Sequence, residues 1–202
     1  MIEESLQKIL KIENGFKEIE AEAAKIGSSL TPLSIFPLAK ELLTHDAFQV
    51  RSLGLFLLGN MASAKPMAIS LIREQARIDL NWRVQEIAAK AFDRYCGDTG
   101  YESALPVIED WLNDSHPNVC RAVTEGLRIW TARPYFNSHP EVAIRLISRH
   151  KAHESEYLRK SVGNALRDIS KKFPELVNAE ILGWDKGNSL ITLTMKHAFN
   201  RC

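Results

Sequence analysis

The sequence predicts an all-α chain, a right-handed solenoid of two-helix repeats with a concave basic groove, and three observations lead there. Apolar residues recur at three- and four-residue intervals along almost the whole chain, and no strand-like alternation competes with them. Four apolar anchors, Val50, Val84, Val119 and Leu158, each open a helical stretch and are separated by 34, 35 and 39 residues. Each of these stretches comes after a short turn, which itself ends an earlier helical stretch.

Taking the elements in order, residues 1–30 form an N-terminal helical cap, because Leu6, Ile9, Leu10, Ile12, Phe16 and Ile19 recur at helical spacing among Glu and Lys. Thr31 and Pro32 supply the cap and the first residue of the next helix. The core repeats occupy residues 33–178. Their first helices run from Leu33 to Thr44, Lys65 to Ile78, Tyr101 to Asn113 and Pro140 to His150, and their second helices begin at Phe48, Trp82, Pro117 and Glu156. The excess in the 39-residue interval falls at Ala132–Asn137, which reads as a loop insertion. Residues 179–202 read as a degenerate closing repeat, with Leu190, Leu193 and Phe199 as its apolar contacts. A repeat of this length matches paired-helix arrays of the HEAT or armadillo type, in which each repeat buries its face only against its neighbours. One such domain accounts for residues 1–202.

Composition narrows the function. The 202 residues are 45% hydrophobic and 25% charged, as expected of a folded, water-exposed domain. Apolar runs such as Leu53–Leu58 are too short to span a bilayer, and the N-terminus lacks a basic start followed by an apolar run; a cytoplasmic, monomeric protein without membrane contact is expected. Cys96, Cys120 and Cys202 are widely spaced and the six histidines are scattered, so the reading includes small buried thiols, no metal and no cofactor.

Aligning the anchors places Ser52, Glu86, Arg121 and Lys160 two residues beyond each, in one row along the second helices. Residues 48–60, 82–95, 117–128 and 156–173 hold 11 Lys or Arg against 5 Asp or Glu, whereas the remainder holds 15 against 20. Such a surplus is the footprint of a polyanion-binding groove, with Arg51, Arg83, Arg121, Arg159, Lys160, Arg167, Lys171 and Lys172 as its cations. A competing reading makes Arg51 and Arg159 members of a structural ladder. Within the row, Trp82 and Glu86 stand one helical turn apart and share a face, while Val84, Ile87, Ala88 and Ala91 turn toward neighbouring helices.

The runs Asn81–Glu86, Val119–Arg121 and Leu158–Asp168, with the stretch that ends Ile169–Glu175, resemble the HEAT-like-repeat DNA alkylation repair enzymes, glycosylases that excise N3- or N7-alkylated purines. The resemblance covers residues from about 33 to 178. It implies that Trp82 contacts the lesion nucleotide, that Glu86 is the essential carboxylate, which is Asp in the best-known branch, and that Arg121 grips a phosphate. Asn164 departs from the pattern, standing where that branch has a second Trp beside the lesion. The implied partner is alkylated double-stranded DNA. An alkylated purine is cationic and leaves readily, so the protein must chiefly stabilise the oxocarbenium-like sugar, which one carboxylate does. The alternative is a non-catalytic solenoid that binds DNA, or a protein, through the same groove.

Overall fold

The computed structural model describes residues 2–199, and every regular element among them is helical. The chain divides into two compact units, Met1–Thr99 and Gly100–Cys202.

The first unit holds α1 (Ile2–Ile9), α2 (Lys17–Ser29), α3 (Pro32–Leu42), α4 (Phe48–Gly59), α5 (Pro66–Ile78) and α6 (Trp82–Thr99). At its centre lies α4, which packs against α2, α3, α5 and α6. Its sequence requires that position: every residue from Val50 to Gly59 except Arg51 is buried, and a helix apolar all round belongs inside. Gly59 lets α6 approach closely, since a Cβ there would lie 3.0 Å from the Ala91 Cα. The cap is held by Glu22, a buried carboxylate that accepts from Ser5 Oγ at 2.7 Å and pairs with Lys8. Between α1 and α2, Gly15 takes φ +86° and turns the chain into Phe16, and Gln49 Nε2 of α4 donates to the Ile12 carbonyl at 2.8 Å.

The second unit holds α7 (Leu105–Leu112), α8 (Pro117–Gly126), a 3-10 turn (Trp130–Ala132), α9 (Pro134–Ser138), α10 (Pro140–Ser148), α11 (Glu156–Ser170), α12 (Pro174–Leu182) and α13 (Ser189–Phe199). Here α11 is central and packs on α8, α10, α12 and α13. Its Gly163 makes the α13 contact possible, because a Cβ would meet His197 Cβ at 2.4 Å and the Thr194 carbonyl oxygen at 2.7 Å.

All four second helices begin at the expected residues, and the four anchors are fully buried. The turns before them are built alike. Five residues ahead of each anchor, the side chains of His45, Asp79, Asp114 and His153 accept from the backbone N–H two residues on, at 2.9, 2.9, 2.8 and 3.0 Å. One residue after each anchor, Arg51, Gln85 and Cys120 donate back to the carbonyl oxygens of His45, Asp79 and Asp114 at 2.8, 2.8 and 3.3 Å. Arg159 does the same to His153. Each repeat thus closes its own turn with a side-chain acceptor and a side-chain donor, satisfying polar groups that a helix start leaves open.

Two expectations are corrected. The insertion is not a loop: Pro134 starts a short helix whose Phe136 is fully buried and meets Trp130 edge-on at 4.8 Å. Aromatic burial outweighed the turn-like sequence around it. A helix, Pro174–Leu182, opened by another proline at its first position, runs across residue 179, where the closing repeat was expected to begin. Its last helix buries Ile191, Thr194 and Ala198 rather than Leu190, Leu193 and Phe199; the small residues fit the close approach at Gly163, and Phe199 is exposed. Cys96 and Cys120 are buried thiols, as expected, while Cys202 lies outside the described residues.

Candidate nucleic-acid interface

Local chemistry fixes the start of α6. Asn81 donates its N–H to Asp79 Oδ1 at 2.9 Å and accepts the Arg83 N–H on its own Oδ1 at 2.9 Å. Asp79, only 6% exposed, also takes Arg51 Nε at 2.7 Å and Gln75 Nε2 at 2.7 Å. The helix beyond this turn buries Val84, Ile87, Ala88 and Ala91, which leaves Trp82 half exposed and Glu86 exposed on the opposite face, as the spacing predicts.

Trp82 and Glu86 border a recess of about 170 Å³. Its other walls are Asn14, Gly15 and Phe16 from the connector, Phe48 and Ser52 from α4, and Arg83. The Arg83 guanidinium stacks over Trp82 at 4.6 Å and Phe48 at 5.2 Å while donating to Asn14 Oδ1 at 3.2 Å. This holds the Trp82 ring against the guanidinium while about half of the residue stays exposed. Glu86 makes no hydrogen bond or ion pair among the described residues. Phe16 and Phe48 were not singled out by sequence reasoning; Phe48 was visible only as a helix start and Phe16 only as part of the cap.

The remaining sequence-predicted residues divide by what engages them. Arg51 and Arg159 belong to the turn ladder: beyond the bonds already described, Arg51 Nη1 donates to the Asp46 carbonyl at 2.7 Å and Arg159 Nη1 to that of Glu154 at 2.9 Å. Arg159 is 5% exposed. Arg121, expected on a solvated face, is instead 6% exposed. Its guanidinium lies 3.8 Å from the centre of the Tyr157 ring, and Nη2 is 3.9 Å from Glu125, which accepts Ser161 Oγ at 2.6 Å. Tyr157 is a third residue that the sequence reading missed; the signal was an aromatic immediately ahead of the Leu158 anchor.

Three further cations, Lys160, Lys171 and Lys172, are exposed. Lys160 pairs with Glu156 at 2.7 Å, holding that carboxyl below the usual carboxylate range chiefly through the hydrogen bond. Lys171 pairs with Asp168 at 2.6 Å, and Lys172 donates to Asn137 Oδ1. The exposed contacts of Lys160 and Lys172 contribute little and exchange readily with a stronger anion, whereas Asp168, with a side chain 8% exposed, also accepts Arg128 Nε at 3.1 Å. Asn164 is partly buried on α11, and Arg167 and Lys171 line an open depression of the second unit together with Ser170 and Asn178.

Repeated two-helix units with a self-closed turn define a HEAT-like helical-repeat protein. In the first unit, one second helix presents an aromatic ring and an unengaged carboxylate over a small recess. The family model for DNA alkylation repair enzymes matches residues 16–198, and the chain belongs to that family. It is similar to the crystal structure of AlkD2 from Streptococcus mutans, with 45% identity, a TM-score of 0.93 and coverage of 98% of this chain and 95% of that one. It is also similar to smu.31 from Streptococcus mutans UA159, at 45% identity and a TM-score of 0.88, covering 92% of each chain. The Pseudomonas fluorescens alkylpurine DNA glycosylase AlkC, bound to DNA containing an abasic site analog, shares the fold at 22% identity and a TM-score of 0.68, over 87% of this chain and 50% of that one. No curated protein matches the sequence.

Proposed function

We propose that this chain is an alkylpurine DNA glycosylase that acts on duplex DNA as a cytoplasmic monomer, hydrolysing the N-glycosidic bond of N3- or N7-alkylated purines without a cofactor. The observation that carries this reading is the pair Trp82 and Glu86, exposed one turn apart on a helix start pinned from below. Family membership supports the substrate class.

In the reaction, the bond from C1′ to the purine nitrogen breaks and its electron pair neutralises the cationic base. Positive charge then develops on the sugar, where the Glu86 carboxylate stabilises it. Water adds to C1′ and its proton passes to Glu86 or to solvent, leaving an abasic site and a free base. Trp82 offers a π-face to the cation, a contact worth about 0.5–2 kcal/mol. No deep base pocket is needed for a base that already leaves easily, and the recess beside Glu86 is far smaller than a typical ligand pocket.

The test is release of N3-methyladenine and N7-methylguanine from methylated duplex DNA, by the parent and by Glu86→Gln. Loss of one preorganised transition-state contact lowers excision by about two orders of magnitude. Because Glu86 supports nothing in the fold, unfolding of the variant should match the parent. Parent-like excision by Glu86→Gln would remove Glu86 from the chemistry.

A second reading, DNA binding without excision, is favoured by one specific observation. Arg121, which the resemblance assigns to a phosphate, is buried against the Tyr157 ring. Asn164 adds to it by standing in place of the second Trp. A parent that binds duplex DNA but releases no base decides for this reading.

A further inference from the structure

The four turns ahead of the second helices share their hydrogen bonds, so the residue at each tip, four before the anchor, can be compared directly. Three tips are polar: Asp46, Ser115 and Glu154. The fourth is Leu80, and it is 96% exposed. Its neighbours extend the anomaly, since Ile78 is 57% and Trp82 is 51% exposed. Between them Asp79 and Asn81 point inward, held by Arg51, Gln75, Gln85 and the Arg83 N–H. Alternation of this kind leaves Ile78, Leu80 and Trp82, the apolar ridge of this segment, exposed at every second position of a turn held by its own hydrogen bonds. Leucine gains nothing at such a place in a free chain, where the polar tips of the sister turns serve equally well.

We propose that Leu80, supported by Ile78, is an apolar binding contact of this protein with duplex DNA, seated against deoxyribose and base edges next to the nucleotide that Trp82 faces. This rests on the reading of Trp82 as part of the DNA interface. Nucleic acid is the occupant because Leu80 stands two residues before Trp82 at the same helix start and because the chain belongs to the DNA alkylation repair enzyme family. Groove floors present sugar and base edges to apolar side chains, and leucine is among the residues that proteins lay against or between base steps. A prealigned turn loses little conformational entropy on contact.

The experiment uses Leu80→Ser, the residue that the third turn carries at this position, so the turn geometry accommodates it. Binding of parent and variant to duplex DNA, with and without an abasic-site analogue, is measured by fluorescence anisotropy across a salt series. The expected result is an affinity about three- to tenfold weaker with an unchanged salt slope, because an apolar contact displaces no counterion. Leu80→Met should retain most of the affinity. Unchanged affinity in Leu80→Ser overturns the proposal while leaving Trp82 and Glu86 in place, and would point the ridge at a protein partner. A weaker variant whose salt slope also falls overturns it as well, since the loss would then come from displaced phosphate contacts. A parent without measurable duplex binding overturns both this proposal and the reading on which it rests.

Discussion

Arg51→Ala separates the two roles that an arginine at the start of a second helix can have. Arg51 makes two bonds to Asp79, at 2.7 and 3.2 Å, and two more to the carbonyls of His45 and Asp46, at 2.8 and 2.7 Å. Side-chain exposure is 16% for Arg51 and 3% for Asp79, so the pair is largely out of water. Removing one partner of such a pair typically costs about 3–5 kcal/mol, because the other charge stays buried. Asp79 retains Gln75 Nε2 and the Asn81 N–H, which places the loss near the lower end, about 3 kcal/mol. For a chain of this length that lowers Tm by roughly 6–12 °C. Thermal unfolding followed by circular dichroism gives the stability, and a salt series of duplex binding gives the number of phosphates engaged. Arg51→Lys should rescue little, since an ammonium cannot reproduce the fork that reaches carboxylate and carbonyls together. A variant with parent-like Tm whose salt slope has dropped by about one would refute the structural assignment and return Arg51 to the DNA.

Two other perturbations act on neighbouring contacts of the same kind. Arg121→Ala should lower stability by roughly 2 kcal/mol, the value of a desolvated cation–π contact, with little change in DNA affinity; Tyr157→Ser, which uncovers the guanidinium, should steepen the salt dependence of binding, and anisotropy titrations would expose the opposite pattern. Glu22 is held below the usual carboxylate range, first by its hydrogen bond with Lys8 and then by that with Ser5. A depressed carboxyl stabilises the fold fully above its ordinary value and loses that contribution as pH falls through the lowered one, so docking of the cap should weaken on acidification. Urea unfolding from pH 7 down to about 3 should show this slope, and Glu22→Gln should remove most of it; an unchanged slope would place the acid sensitivity elsewhere.

The repeat architecture was readable from the chain because its determinants are local. Anchors recur at a fixed spacing, prolines mark several helix starts, and the side chains that close each turn lie within six residues of the groups they bind. The exposure of Trp82 and Glu86 was readable for the same reason, since helical periodicity alone assigns their face. What covers a side chain was not readable. Arg121 and Glu86 occupy the same register, yet one is buried and the other exposed, because Tyr157, distant in sequence, lies against Arg121. Ser52, in the same row, is buried beside a recess whose far wall comes from Phe16, also distant in sequence.

Charge was the less reliable guide. Counting Lys and Arg on the second helices treats each cation as available, but availability depends on desolvation. Arg51 and Arg159 bind backbone carbonyls that have no other means of leaving water, and Arg83 stacks between the walls of the recess. An approaching phosphate would have to replace these contacts at the expense of the turn itself. Lys160 and Lys172 have exposed partners and lose little by exchanging them, and Asp168, whose side chain is largely buried, keeps Arg128 when Lys171 leaves it. Phosphate contact in the second unit should therefore concentrate on the lysines of α11 and the residues just beyond it. On the proposed reading, recognition in the first unit falls to Leu80 and Trp82. Substituting Lys160, Lys171 and Lys172 together should reduce the salt slope by about three while leaving Tm nearly unchanged; a fall in Tm of the size expected for Arg51→Ala would show that these cations, too, hold the fold.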